Sequence, residues 1–266
     1  MRAKFPVLPA VIAVALVVGI IIVMTTLHPT QLDPQTECPQ AGPESVTAII
    51  VDTSDPLIEP QQEALKKLAD SLTNPKFAAH ELHVPRGHLL TIYEVGSPKP
   101  KRLFHHCNPG DPETRSTGEK LTEGEILAEM RWQQFKSALK NAFPDVTQST
   151  PQTPLIETIR FVRHAEFPPA SVLRDGDTRA GRIVIISDML QHTDQLSHFG
   201  TRLPPAADAA KAYSLDLRGI DIHLRYLRVD RFRQYQQGAR PHFTWWREFF
   251  ASTATGSPLK HEPVVW

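Results

Sequence analysis

Asp52, Ser54 and Asp55 follow directly on an apolar run, Val46-Thr-Ala-Ile-Ile-Val51. A second run, Ile183-Val-Ile-Ile-Ser187, ends on Asp188, and Thr153 stands before Pro154 between the two. Carboxylates and hydroxyls are hard oxygen donors. Mg²⁺ takes such donors in an octahedron completed by water, generally with one or two carboxylates. Asp52, Ser54, Thr153 and Asp188 on adjacent loops would therefore suit Mg²⁺, or another divalent cation such as Mn²⁺ or Ca²⁺. They would leave a position open for a ligand's own carboxylate. Asp55 either adds a carboxylate to the same turn or faces water. The plainer reading is that Asp52 and Asp188 cap the helices that follow them. Thr153 before Pro154 is an equally good helix cap.

Other chemistries find less support. An aspartyl nucleophile of the Asp-x-Asp type needs a carboxylate where Ser54 stands, and the chain has no G-x-S-x-G elbow and no glycine-rich phosphate loop. His105-His106-Cys107 has soft-metal residue types but no second half at ligand spacing. His192 and His198 fall in a polar stretch and are expected on a solvated loop. Lys plus Arg and Asp plus Glu both number 29, so no global field favours nucleic acid.

The elements that must position these residues follow from periodicity. Short runs apolar on both faces are central strands covered by helices on both sides. Strands are predicted at 46–51, 88–95, 183–186 and 220–226, with residues 102–106 as a short antiparallel edge. The last strand alternates Ile220, Ile222 and Leu224 with Asp221, His223 and Arg225, as a half-exposed strand does. Helices are predicted from Pro60 to Asn74, after a Thr122/Glu125 capping box through Ile126, Leu127, Met130, Leu139 and Ala142, and after Thr153-Pro154. Two more fall at 205–214 and over His242, Trp245, Trp246, Phe249 and Phe250. The class is α/β, with a doubly wound, mostly parallel sheet. In such sheets the functional crevice lies outside the strands' carboxyl ends, where strand order reverses.

The N-terminal segment differs in kind. Residues 8–27 are apolar apart from Pro9, Gly19, Thr25 and Thr26, long enough to span a ~30 Å hydrocarbon core. Arg2 and Lys4 precede this stretch and the next basic residue is Lys66, which places the N-terminus in the cytoplasm. Residues 1–27 are thus expected as a short tail and a signal anchor, and 28–45, with four prolines, as an extended spacer. The domain proper is 46–254 and the tail 255–266. Cys38 and Cys107 both fall on the outer side, where an oxidising compartment favours a bridge between them; two unpaired thiols are the alternative. A single-pass protein of a bacterial inner membrane, with its domain in the periplasm, is the expectation. A eukaryotic protein facing the lumen is the alternative.

Asp52-Thr-Ser54, Thr153 and Asp188, in this order and context, resemble the von Willebrand factor A (VWA) domain over residues 46–254. In that family an Asp-x-Ser-x-Ser loop, a threonine and an aspartate form a metal-ion-dependent adhesion site. Asp52 and Ser54 match the first two positions, Thr153 the threonine and Asp188 the aspartate, while Pro56 replaces the second serine. The resemblance implies a non-enzymatic module that binds another envelope or membrane protein, as subunit or adaptor of a membrane assembly. Two alternatives stand beside it. One is a Mg²⁺-dependent hydrolase of phosphoesters using Asp52 and Asp188; the other is a structural subunit whose site is degenerate and metal-free.

Overall fold

A computed structural model describes residues 31–77, 79–96, 99–115, 124–143, 150–168, 181–200, 203–236, 242–253, 259 and 264–266. The sheet has six strands in the order β3-β2-β1-β4-β5-β6. These are β1 (Val46–Val51), β2 (Leu89–Glu94), β3 (Lys101–Cys107), β4 (Gly181–Ser187), β5 (Ile220–Tyr226) and β6 (Val264–Val265). All neighbours are parallel except β3, which pairs back on β2 as an antiparallel edge. The expected doubly wound α/β fold is thus the one the chain adopts. Its strand order reverses between β1 and β4, the place where such sheets carry their crevice.

Alternate residues of each strand face opposite layers. Ala48 and Ile50 of β1, with Ile183 and Ile185 of β4, pack under α3 (Leu155–Glu166), α4 (Ala206–Ala212) and α6 (His242–Ser252). Ile49, Val51, Val184 and Ile186 face α1 (Glu59–Thr73) and α2 (Glu125–Ala142). A four-residue helix, α5 (Arg233–Gln236), precedes α6. β1 and β4 approach so closely at Gly181, where φ is +140°, that a Cβ would sit 2.0 Å from the Val46 carbonyl oxygen. Only glycine fits there.

Several expectations change. The spacer is not extended over its described part: Asp33 turns the chain by accepting from the Gln35 and Thr36 amides, and Leu32 pairs with Pro39. The Cys38–Cys107 disulfide holds this turn against the end of β3. The tail is no mere tail, because Val264–Val265 form the last strand against β5. Helix α2 begins at Glu125 with Gly124 as its cap, and Thr122 lies outside the described residues. Its inward stripe is Ala128, Trp132, Phe135, Leu139 and Ala142, which leaves Ile126, Leu127 and Met130 exposed. Strand β5 is not half-exposed. His223 and Arg225 are buried because Glu81 covers them, its carboxylate 2.7 Å from the Arg225 guanidinium. The predicted span at 8–27 lies outside the described residues, among which no helix is long and apolar enough to cross a membrane.

Candidate functional site

Asp52 and Asp188 leave β1 and β4 side by side at the reversal point, the Asp52 amide donating to the Ile186 carbonyl. Neither caps a helix. Asp52 Oδ1 accepts from the Ser54 amide at 3.0 Å, and Oδ2 from the Ser187 hydroxyl at 2.6 Å. Asp188 Oδ1 accepts from the Leu190 amide at 2.9 Å, closing a tight turn rather than a helix. Ser187, wholly buried, also accepts from the Met189 amide, so one hydroxyl ties the two acidic turns together. Sequence reading passed over Ser187 as the last residue of a strand. Its one signal was its place directly before Asp188.

The carboxylates are 3% and 4% exposed. Burial raises the pKa of Asp52, working against its hydroxyl and amide donors. Burial first, and then the charge of Asp52, push Asp188 up to about 8. Two like charges in one dry place cannot both ionise cheaply. They open on a cavity of about 10 Å³ also bordered by Ser54, Pro56, Gln61 and Val229, room for one water-sized body. Gln61 closes one wall, its side-chain amide donating to the Arg228 carbonyl at 2.9 Å. Asp55 borders the cavity too, but its carboxylate is ion-paired with Arg231.

Thr153 does not border the cavity. Its amide and carbonyl pair with His192, and its neighbour Thr150 donates to the Ser54 carbonyl, which docks this loop on the first acidic turn. Thr153 is not the helix cap either. Pro154 holds that position without a side-chain bond, and the buried Gln191 side chain accepts from the Ile156 amide instead. Position 56, proline, supplies no oxygen. Among the described residues no group of three or more His, Cys, Asp or Glu side chains gathers at ligand distance. The donors bordering the cavity are therefore two carboxylates and the Ser54 hydroxyl, all oxygen. That chemistry fits one hard cation, and no Lys or Arg contributes to the pKa of either aspartate.

Behind Asp188 lies an aromatic pocket. The Trp246 indole N–H donates to the Met189 carbonyl at 2.7 Å, and the Tyr226 hydroxyl meets His242 Nδ1 at 3.1 Å. His198 is not on a solvated loop. It is 5% exposed, its ring 4.6 Å from that of His242 and stacked on Trp246. Burial lowers both histidines, to about 3 for His198 and about 4 for His242, so both are neutral.

No protein-family model and no curated protein matches the chain. Among solved structures it is similar to proximal thread matrix protein 1 from the mussel byssus, at 12% identity and a TM-score of 0.39. That match covers 81% of this chain but only 44% of the mussel protein. It is also similar to the SpRpn10 VWA domain, at 13% identity over 84% of this chain and 87% of that one, TM-score 0.33. An aerotolerance-related membrane protein from Bacteroides fragilis NCTC 9343 matches at 16% identity over 68% and 67% of the two chains, TM-score 0.32. At such scores these matches add nothing to the strand order, from which the doubly wound assignment is drawn.

Proposed function

We propose that this chain is a non-enzymatic interaction module, tethered to a membrane by residues 8–27, which captures a protein partner at the loops after β1 and β4. The observation that carries this reading is the cavity between Asp52 and Asp188, lined by oxygen donors and sized for one small body. A bound divalent cation, Mg²⁺ foremost, with Mn²⁺ and Ca²⁺ as alternatives, supplies positive charge and an open position for a partner's carboxylate. Asp52 and Asp188 hold the charge, and the Ser54 hydroxyl completes the protein's share. Ser187 and the Leu190 amide keep the two carboxylates aimed. Thr153 stands off this cavity, on the loop whose Thr150 amide is docked on the Ser54 carbonyl. The VWA resemblance assigns the same residues, short of the hydroxyl that Pro56 removes. A periplasmic domain on an inner-membrane anchor fits the charge asymmetry around residues 8–27 and the disulfide.

Phosphoester hydrolysis is the weaker reading. Asp188, pushed up to about 8, has the protonation behaviour of a general acid, but Ser54 stands where an Asp-x-Asp nucleophile needs a carboxylate.

The test is affinity capture from solubilised membranes with wild type and Asp52→Ala/Asp188→Ala, each in Mg²⁺ or EDTA. A partner held by wild type in Mg²⁺ and lost in the variant and in EDTA supports the cation-bridged module. A partner retained in all four conditions overturns it in favour of a degenerate site. Burial raises both carboxylates, so cation uptake displaces a proton. Affinity for Mg²⁺ should rise ~tenfold per pH unit up to about pH 8. Calorimetry on the full chain in lipid nanodiscs checks this, and a flat profile contradicts it.

A further inference from the structure

A second concavity, of about 650 Å³, lies between α1 and α2, on the layer of the sheet away from α3 and α6. Small-molecule sites of ~300–1,000 Å³ typically combine an apolar lining with a few placed polar groups. Here the apolar part is buried Trp132 and Leu139 with half-buried Phe143 and Ala69. Four lysines border it: Lys66 and Lys76 from the α1 side, Lys136 and Lys140 from α2. None of the four makes an ion pair among the described residues, and the Lys136 ammonium lies 5.1 Å from the centre of the Trp132 ring. Three carboxylates share the border, Asp70, Asp111 and Glu113, and Asp111 is engaged in accepting from the Glu113 amide at 2.9 Å. Lys136 and Lys140 stand one turn apart on α2. Such a like-charge pair destabilises a helix unless an anion sits between its members.

We propose that this cleft binds a small amphiphilic anion. Its flat apolar body lies on Trp132, Leu139 and Phe143, and its acidic group is held by Lys136 and Lys140. The site is separate from the acidic loops, since α1 and α2 form both of its walls. It does not depend on the adhesion reading. Naphthalene-2-sulfonate and its uncharged counterpart naphthalene-2-sulfonamide are suitable probes, titrated by calorimetry into the full chain in phosphatidylcholine nanodiscs with empty nanodiscs as blank. The sulfonate should bind one site per chain, at least tenfold tighter than the sulfonamide. Lys136→Gln/Lys140→Gln, changes at exposed positions, should abolish that tenfold preference and leave the sulfonamide unchanged. Ala69→Trp, which fills the cleft, should remove both. A sulfonamide that binds as well as the sulfonate overturns the proposal. So does a sulfonate affinity that survives loss of the lysines, or the absence of any binding.

Discussion

Two pairs of buried titratable side chains meet around Met189, which follows Asp188, and burial acts on them oppositely. Asp52 and Asp188 are raised, His198 and His242 lowered, so both pairs are driven toward neutrality. What differs is the company they keep. The carboxylates meet serine hydroxyls, backbone amides and a small cavity. The histidines meet the rings of Trp245 and Trp246, and neither nitrogen of His198 makes a well-formed hydrogen bond. A buried charge is tolerable only where donors or a counter-ion await it. The first pair has such a setting; in the second, His242 meets the Tyr226 hydroxyl and His198 meets only rings. One borders a small cavity among oxygen donors; the other is enclosed by aromatic rings.

The sharpest way to break this contrast is to attack the aromatic side. Trp246→Ala should cost about 3–5 kcal/mol in urea unfolding, because it empties a fully buried position and frees the Met189 carbonyl. Acid comes next. The unfolded chain's histidines take up protons below pH ~6.5, while the folded ones resist until about 4 and about 3. Stability is therefore full above pH ~6.5 and should fall by a few kcal/mol as the pH drops toward 4, and His198→Phe should flatten the slope. Asp188 runs the other way. Its contribution is present below its ordinary range and is lost as the pH rises through about 8. Asp52→Ala should cost ~1–3 kcal/mol, since it leaves the buried Ser187 hydroxyl and the Ser54 amide without an acceptor. The smallest effect belongs to Asp188→Asn, which keeps an oxygen for the Leu190 amide and removes the repulsion. It should change stability by less than ~1 kcal/mol while abolishing any response to Mg²⁺. If Asp188→Asn proves as damaging as Trp246→Ala, the acidic pair is core too and the contrast fails.

Much of this was legible in the chain. Strands β1 and β4 announce themselves as apolar runs with sharp polar ends and β5 as an alternation, and the doubly wound order places Asp52 and Asp188 together. What stayed hidden depends on partners distant in sequence. β6 is two residues whose pairing comes wholly from β5, so it leaves no local pattern. The polar sequence around His198 suggests solvent, yet the rings of α6, more than 40 residues later, enclose it. The apolar pattern of α2 suggests that Ile126 and Met130 point inward, yet both face out, and the inward stripe runs through Ala128, Trp132 and Phe135 instead. Ser187 is the instructive miss. A hydroxyl at a strand end becomes informative only once the neighbouring strand brings Asp52 within 2.6 Å.

The Cys38–Cys107 clip marks one pole of the domain. Cys107 pairs with Leu89 at the start of β2, the pole opposite the acidic loops. The bond and the Cys107 amide, which donates to the Thr36 carbonyl, fasten the Asp33 turn to the end of β3. A seven-residue strand such as β4 spans ~20 Å, so the clip holds the two aspartates at least that far beyond the point of attachment. Asp52 and Asp188 thus occupy the pole of the domain opposite the one where the chain enters it.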